Sequence, residues 1–420
     1  MKRVLIITYY WPPSGGAGVQ RWLKLARYLP SFGIEPVILT VDPDHATYPV
    51  TDYSLTEAIP QDLKVYTTAA TDYFRLLSRN KAIIPSAGFA KTGKRPLLNK
   101  LARFARGNFF IPDPRKGWNN HAYRKACEII DNLGITDIIT TSPPHSTQLI
   151  GLRLKKRYTN LNWIADLRDP WTDIYYYSEF YPTPIARAID RKLEKKVILR
   201  ADKLVAVGES LAGLFDTRYP GVRDKTDVIS NGFDPDDFEG LQPSSPDIFT
   251  ISYVGTLSDS YNIEGLLKSL REIAKEGRPV RLRFTGFVSA EQKKKILDYL
   301  PAETVTFREY CNHTGAIREM LDSSVLLLLI PDHRSNKVIL TGKLFEYIAT
   351  GKPILCIGPT DGDAASRISS LENSITAGYI DVSVITDFIL KAMNGRYPEG
   401  QYLPDKFSGK EGARIYSELI

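Results

Sequence analysis

Short apolar runs alternate with longer segments of helical periodicity along almost the whole 420-residue chain. Several runs are apolar throughout, which is typical of parallel strands covered on both faces. Strands separated by helices of this length indicate βαβ units and predict a doubly wound α/β fold. The predicted strands are Val4–Thr8, Pro36–Thr40, Asp137–Thr141, Asn162–Ala165, Lys203–Val207, Asp227–Ile229, Phe249–Val254, Arg281–Thr285, Thr304–Phe307, Val325–Ile330 and Pro353–Ile357. The clearest predicted helices are Gln20–Leu29, Leu149–Tyr158, Ile185–Leu199, Glu264–Lys275 and Lys343–Thr350.

The chain is too long for one ordinary domain, and two domains are expected. The alternation pauses between Asp234 and Asp247, a polar segment with three prolines and no periodicity. This segment predicts a linker between an N-terminal domain (1–240) and a C-terminal domain (245–400). Ligands of open parallel sheets bind outside the carboxyl ends of the strands. We therefore expect the active site in a cleft between the two domains.

Several classes of protein are disfavoured by the sequence. The apolar run at the N-terminus is too short for a signal peptide, and no segment is long and apolar enough to span a membrane. The three cysteines are far apart and form no CxxC pair, so neither a zinc site nor a disulfide framework is indicated. These features predict a cytoplasmic protein.

Three Asp-x-Asp pairs, of the kind that hold a metal in some transferases, lie among turn-forming residues. They are Asp42/Asp44, Asp234/Asp236 and Asp361/Asp363. Because Pro or Gly accompanies each pair, we interpret them as loops. No metal and no other cofactor is expected.

Positive charge is concentrated in one segment. The chain has a formal net charge of +7, yet the residues from Phe74 to Ala126 include thirteen Lys or Arg and one acid. The segment also contains Phe89, Phe104, Phe109, Phe110 and Trp118. Basic and aromatic residues together suit an anionic membrane surface, which Arg75 to Lys125 would contact. A solvated protein surface is the alternative, and no motif supports nucleic-acid binding.

A glycine-rich loop, Ser14-Gly15-Gly16-Ala17-Gly18, follows the first strand and opens a helix. Glycines permit positive φ and leave amides exposed at a helix N-terminus, where an anion is favoured. The loop is not a GxGxxG fingerprint. It is either a tight turn or a ligand-facing loop with Gly15, Gly16 and Gly18 at the cleft.

A second candidate site lies at the start of the helix that includes Lys343 and Glu346. The two side chains are three residues apart, on one helical face. Lys343 together with the free amides of the helix N-terminus suits a diphosphate, and a carboxylate one turn later suits ribose hydroxyls. The alternative is an ordinary surface Lys–Glu pair.

These features together resemble the GT-B glycosyltransferases, specifically family 4, over nearly the full chain. Beside the glycine loop, the motifs that carry the resemblance are Val207–Ser210, Ile229–Asp234, Tyr253–Leu257 and Phe345–Pro353, in the family's order. The resemblance implies that the first domain binds the acceptor and the second binds a nucleotide-sugar donor. It also implies that a final helix, within 401–420, returns to the first domain.

The resemblance implies a set of donor-binding residues, with departures from the family pattern. Thr256 and Tyr261 stand where many members have Arg and Lys on the diphosphate, and Val338 replaces the first of two glutamates, of which Glu346 matches the second. Other cations are then needed on the diphosphate. The donor-binding candidates are Gly255, Thr256, Arg334, Lys337, Gly342, Lys343, Leu344 and Glu346. The loops Thr285–Val288 and Tyr310–His313 are candidates for recognising the base.

Candidate residues in the first domain follow two of its strands. His145 lies after one strand, and the resemblance implies a histidine beside the reacting sugar; a core or capping residue is the alternative. Asp166, Arg168 and Asp169 follow the next strand and form either a structural ion network or a site for acceptor hydroxyls. We take His145 and Asp166 as catalytic candidates, and Arg168 and Asp169 as acceptor-site candidates.

The predicted function is a retaining glycosyltransferase that moves a sugar from a nucleotide-sugar donor to a cell-surface polysaccharide or lipid-linked glycan. The family is thought to react on one face of the sugar, which fits the lack of an obvious carboxylate pair for double displacement. Two alternatives remain. One is a non-catalytic, membrane-docked subunit of a polysaccharide-synthesis complex, and the other is a nucleotide-sugar epimerase.

Overall fold

The computed structural model describes residues 1–71, 96–174, 176–397 and 405–420. It divides into two compact units, Met1–Asn231 with Gly409–Ile420, and Gly232–Ser408. Each unit contains one parallel sheet flanked by helices. The doubly wound α/β fold is confirmed, and the C-terminal helix belongs to the first unit. The segment 234–247, expected as a linker, lies within the second unit.

The first unit has a seven-stranded sheet in the order β3-β2-β1-β4-β5-β6-β7. Its strands are β1 Lys2–Ile7, β2 Ile34–Val41, β3 Lys64–Thr68, β4 Asp137–Ser142, β5 Asn162–Leu167, β6 Lys203–Ala206 and β7 Thr226–Val228, all paired in parallel. Its helices before the second unit are α1 Ala17–Tyr28, α2 Ser54–Glu57, α3 Pro96–Phe109, α4 Asn119–Leu133, α5 Gln148–Arg157, α6 Pro184–Arg200 and α7 Glu209–Arg218. The strand order reverses between β1 and β4, which makes their carboxyl ends the topological switch point.

The second unit has a six-stranded sheet in the order β10-β9-β8-β11-β12-β13. Its strands are β8 Phe249–Val254, β9 Val280–Thr285, β10 Val305–Arg308, β11 Val325–Leu329, β12 Ile354–Ile357 and β13 Ile375–Ala377, again all parallel. Its helices are α8 Glu264–Lys275, α9 Ala290–Tyr299, α10 His313–Leu321, α11 Gly342–Thr350, α12 Asp363–Ile368 and α13 Val382–Met393. The order reverses between β8 and β11.

The central strands are buried on both faces, as their apolar runs predict. In β11, Leu327 and Leu329 pack into one hydrophobic cluster, whereas Leu326 and Leu328 pack into a second cluster. Successive strand side chains point to opposite faces, so each face of the sheet has its own core.

The last helix, α14 (Gly409–Leu419), packs on α1 of the first unit. The rings of Trp22 and Tyr416 have centroids 5.1 Å apart. A Cβ added to Gly412 would lie 3.2 Å from Leu25 Cδ2. The small residue thus lets the two helices approach closely.

Two strands, β3 and β13, were not predicted from the sequence. Both are edge strands. Most of their side chains are only partly buried, so neither carries the continuous apolar run that identified the central strands. No helix in the described part of the chain is long and apolar enough to cross a membrane.

Candidate functional site

The two switch points bring most of the predicted site residues to the carboxyl edges of the two sheets. In the second unit, β8 ends at Val254 and is followed by Gly255 and Thr256. The neighbouring strand, β11, leads through a loop to the start of α11 at Gly342. Each edge is described by itself below.

Gly255 occupies a position that no other residue fits without strain. Its φ is +131°, and an added Cβ would lie 2.6 Å from Lys343 Nζ. Its N–H donates to Thr285 O at 2.8 Å. Gly286, with φ +117°, lies so close that a Cβ there would be 2.5 Å from Gly255 O. The two glycines therefore let the ends of β8 and β9 approach each other closely. The missing side chain of Gly255 also leaves room for the Lys343 ammonium.

The Lys343 ammonium contacts an aromatic ring and a hydroxyl. Nζ lies 4.2 Å from the centre of the Tyr253 ring and donates to Tyr253 Oη at 3.1 Å. Tyr253 Oη in turn donates to Thr256 O at 2.7 Å. Burial lowers the pKa of Lys343 to about 8, and Glu346 partly opposes the shift. The ammonium is partly desolvated, so an anion bound beside it would stabilise its charged form.

The N-terminus of α11 adds backbone donors at the same place. Thr341 precedes the helix without making a side-chain cap, and the first turn contains no acid. Thr341 Oγ1 is buried and has no hydrogen-bond partner within the described residues. Helix N-termini with free amides bind anions. Leu344, by contrast, directs its side chain into the core, and its N–H donates to Thr341 O.

Glu346 lies at the end of a chain of polar contacts. Its Oε1 is 4.0 Å from His313 Nδ1, and His313 Nε2 is 2.9 Å from Asp237 Oδ2. His313 is the first residue of α10 and falls in the loop predicted to recognise a base. Asp237 was missed because it lies in the segment predicted as a linker.

The other two candidate cations are at the protein surface. Arg334 and Lys337 are both solvent-exposed. Lys337 forms an ion pair with Asp361, one of the Asp-x-Asp residues. Of the three cations proposed for the diphosphate, the structure brings Lys343 to the end of β8.

In the first unit, Asp166 is a fully buried hydrogen-bond acceptor. It accepts from Arg21 Nη2 at 3.2 Å, from Trp22 Nε1 at 2.9 Å and from Thr141 Oγ1 at 2.7 Å. Arg21 also donates to Ile229 O at 2.9 Å. This geometry favours the structural alternative that the sequence left open, because the ion pair ties α1, β4, β5 and the end of β7 together.

His145 follows β4 and is buried, with its ring stacked on Trp171 at a centroid distance of 4.9 Å. Within the described part of the chain, neither ring nitrogen has a hydrogen-bond partner. Burial and the nearby Arg168 lower the pKa of His145 to about 3. The imidazole is therefore neutral at physiological pH and has unused hydrogen-bonding capacity.

Arg168 joins the glycine loop to the end of β4. Its guanidinium donates to Ser142 O and Gly18 O, both at 2.9 Å, and a Cβ added to Gly18 would lie 2.8 Å from Nη1. Burial lowers the pKa of Arg168 and raises that of Asp169. With its donors on backbone carbonyls, Arg168 positions the loop.

The other two glycines of the loop have different surroundings. Gly16 precedes α1 with φ +100°, a backbone conformation that favours glycine. The N–H of Gly15 donates to Val50 O at 2.9 Å. An added Cβ at Gly15 would lie 3.2 Å from Val50 Cγ1, so the loop packs closely there.

Two tyrosines that hold the second site were not singled out from the sequence. Besides Tyr253, Tyr347 Oη accepts the N–H of Val254 at 3.1 Å and so fixes α11 to the end of β8. Both tyrosines lie inside segments that carry the family resemblance, which was the available signal. Within the described residues, no group of three or more His, Cys, Asp or Glu is placed to hold a metal ion.

No family model and no curated protein sequence matches the chain. Solved structures do match over the whole chain. A lipopolysaccharide outer core galactosyltransferase, WaaB, matches with a TM-score of 0.58 and 11% identity, covering 100% of both chains. An E. coli trehalose-6-phosphate structure with bound UDP-2-fluoro glucose matches with a TM-score of 0.61 and 12% identity, covering 100% of this chain and 99% of the other.

A third match is described as a UDP-N-acetylglucosamine 2-epimerase from Listeria monocytogenes. It has a TM-score of 0.56 and 11% identity, covering 99% of this chain and 95% of the other. At such identities the likeness shows the fold alone, which is the GT-B fold.

Proposed function

We propose that the protein is a retaining glycosyltransferase that transfers a sugar from a nucleotide-sugar donor to a cell-surface polysaccharide or lipid-linked glycan. The observation that carries the proposal is the Lys343 ammonium against Gly255, at the start of α11 and at the switch point of the second sheet. A partly buried cation, a helix N-terminus and a glycine that permits close approach are the parts of a diphosphate site. The nucleotide sugar bound by the E. coli match supports this ligand class.

In this proposal the donor diphosphate lies beside Gly255 and Thr256 and accepts hydrogen bonds from Lys343 Nζ and the Gly342 end of α11. Glu346 accepts hydrogen bonds from the ribose hydroxyls, held there by His313. Arg334 and Lys337 are exposed, so they would reach the donor only by moving their side chains. Lys343 is therefore the principal cation of the proposed donor site.

The proposed reaction needs neither metal nor cofactor. The bond between the anomeric carbon and the donor phosphate oxygen breaks, and the acceptor oxygen bonds to that carbon on the same face. The acceptor's proton passes to the leaving phosphate oxygen. Lys343 and the helix amides stabilise the negative charge that develops on the diphosphate.

We propose that the acceptor binds to the first unit, beside Gly15, Gly16 and Gly18. The neutral His145 ring donates to, or accepts from, a sugar hydroxyl with its unused nitrogens. Asp166 and Arg168 position this edge through their buried contacts rather than by touching substrate, and the half-buried Asp169 remains a candidate for an acceptor hydroxyl. We propose a cytoplasmic enzyme whose basic segment, Arg75 to Lys125, faces anionic lipid. Residues 75–95 of that segment lie outside the described residues.

The experiment that tests the proposal is a thermal-shift panel of UDP, GDP, ADP, CMP and their sugars. Ligands that bind the native state raise its melting temperature. We expect a shift with one base, lost in Lys343→Ala and Glu346→Ala but kept in Lys337→Ala, the matched removal of an exposed lysine. No shift with any nucleotide would overturn the donor site and favour a non-catalytic subunit.

A nucleotide-sugar epimerase is the second candidate, because one structural match carries that description. Both activities would give a thermal shift, so the products decide between them. Incubation with the shifting nucleotide sugar should release free nucleotide as the sugar is transferred or hydrolysed. Appearance of an epimeric nucleotide sugar, with nucleotide and sugar still joined, would establish the epimerase instead.

A further inference from the structure

The solvent face of α6 consists entirely of cations and apolar side chains. Its exposed residues are Pro184, Ile185, Arg187, Ala188, Ile189, Arg191, Lys192, Lys195, Lys196, Leu199 and Arg200. The helix sequence also contains two acids, Asp190 and Glu194, but neither is exposed. The exposed face therefore carries six positive charges with no acid among them.

Side chains of the protein interior donate hydrogen bonds to both acids and keep them buried. Asp190 accepts from Trp171 Nε1 at 2.7 Å and from Tyr177 Oη at 3.0 Å. Glu194 accepts from Arg218 Nη1 at 2.7 Å and is fully buried. Their charges are therefore screened from any partner on the outer face, which a count along the sequence does not reveal.

Large apolar side chains accompany the cations near the N-terminal end of α6. Ile185 is 73% exposed and Ile189, one turn later, is 46% exposed. Tyr181, just before the helix, is 44% exposed. Exposed isoleucines one turn apart are unusual on a surface helix and mark an interaction site when cations surround them.

Helix α3 extends the same surface, because its C-terminal end is fixed to the loop before α6. Asn108 Nδ2 donates to Tyr181 O at 3.1 Å, and Asn108 Oδ1 accepts the N–H of Thr183 at 2.8 Å. The Arg106 guanidinium lies 3.9 Å over the Phe180 ring. These contacts join the end of α3 to the loop before α6.

The exposed side chains of α3 are also apolar and basic, and Leu101 and Phe104 share the helical face of Asn108. Leu101 is 65% exposed and Phe104, one turn later, is 38% exposed. Phe109, at the end of the helix, is 68% exposed. Lys100 is exposed beside them, and its Nζ lies 5.6 Å from the Tyr181 ring. Both helices therefore expose apolar and basic side chains.

We propose that α3 and the solvent face of α6 form a docking surface for an anionic lipid bilayer. The docking surface is defined as Leu101, Phe104, Phe109, Tyr181, Ile185 and Ile189 with the six cations of α6. Apolar side chains would enter the interface between headgroups and acyl chains, and the long Lys and Arg side chains would reach the lipid phosphates.

A bilayer fits this surface better than a protein or nucleic-acid partner. The exposed face of α6 contains no Asn, Gln, Ser, Thr or Tyr to complement a protein partner's hydrogen bonds. A nucleic acid would contact its cations but would leave the exposed isoleucines in water. Fluid headgroups require only charge and apolar area. This inference deepens the proposed function, since a lipid-linked acceptor would be met at such a membrane, but the surface does not depend on the donor site.

Co-sedimentation of the full chain with phosphatidylcholine vesicles, with and without phosphatidylglycerol, tests the proposal. We expect binding to the anionic vesicles. Each cation removed from the surface should weaken it about fivefold, so Lys192→Gln with Lys196→Gln should weaken it about 25-fold. Ile185→Ala with Ile189→Ala should weaken it about tenfold. Lys293→Gln with Lys294→Gln, two exposed lysines of α9, should leave it unchanged.

Three outcomes would overturn the docking surface. They are equal binding to neutral and anionic vesicles, unchanged binding by both α6 double variants, and binding to an oligonucleotide or an acidic peptide that is stronger than binding to vesicles and insensitive to the isoleucines. The nucleotide thermal shift of each variant is measured in parallel. A retained shift shows that the variant is folded. Vesicle binding without any nucleotide shift in the parent protein would refute the donor site and leave the docking surface standing.

Discussion

The carboxyl edges of the two sheets occupy equivalent topological positions but differ in their chemistry. In the first unit, Asp166 and Arg21 satisfy each other, and the neighbouring His145 is neutral. In the second unit, Lys343 is a partly desolvated cation against a glycine and an uncapped helix. The difference supports our proposal that the second edge binds the anionic donor and the first edge the neutral sugar hydroxyls of the acceptor.

The strongest test of this comparison is the removal of Lys343, the partly desolvated cation of the second edge. We expect Lys343→Ala to lower kcat/KM by about 10²–10³-fold, because a preorganised donor to the developing charge is lost. Initial rates of nucleotide release with the donor identified by thermal shift provide the measurement. Lys337→Ala removes an exposed lysine paired with Asp361 and should retain nearly full activity. Equal losses in the two variants would show that Lys343 has no special role at the second edge.

The first edge is tested through the unused nitrogens of His145. Phe in place of His145 keeps an aromatic ring to stack on Trp171 but removes both nitrogens. We expect kcat to fall about 10²-fold while the melting temperature stays close to that of the parent protein.

The pH profile distinguishes a neutral His145 from an imidazolium. Since burial lowers the pKa of His145 to about 3, the ring stays neutral and the parent profile should show no inflection near the ordinary histidine value. An inflection there that disappears in His145→Phe would show that the ring acts as a charged acid. The first edge would then be cationic as well.

The second edge should reveal its cation through pH-dependent donor affinity. Below pH 8 the Lys343 ammonium is already protonated, so affinity for a nucleotide sugar should be flat. Above about pH 8 binding must take up a proton, and affinity should fall by up to about tenfold per pH unit.

Arginine at position 343 provides the control for this pH dependence. Lys343→Arg should flatten the profile because arginine remains charged throughout. Calorimetric titration across the pH range provides the measurement. A parent profile that is flat through pH 9 would place the anion away from Lys343.

Sequence patterns predicted the fold better than the site. Apolar runs such as those of β8 and β11 identified central strands, because burial on both faces dictates their composition. Lys343 and Glu346 were chosen as donor-site candidates because they share one helical face, and their roles remain predictions. Side-chain direction was not readable, so Asp166 was taken as a catalytic candidate although it points into a buried ion pair. Asp237 was missed because its contact with His313 joins residues 76 positions apart.

The smallest expected effect concerns the contact that positions Glu346. If His313 aligns this carboxylate for ribose, His313→Ala should raise the donor KM about fivefold and leave kcat nearly unchanged, because a contact of 4.0 Å is longer than a hydrogen bond and contributes only about 1 kcal/mol. His313→Gln retains a donor toward Glu346 and should restore part of the loss. Steady-state kinetics at varied donor concentration separate the two parameters. A fall in kcat with unchanged KM would mean that the contact serves the reaction itself, and the second edge would then be more than a binding site for the nucleotide.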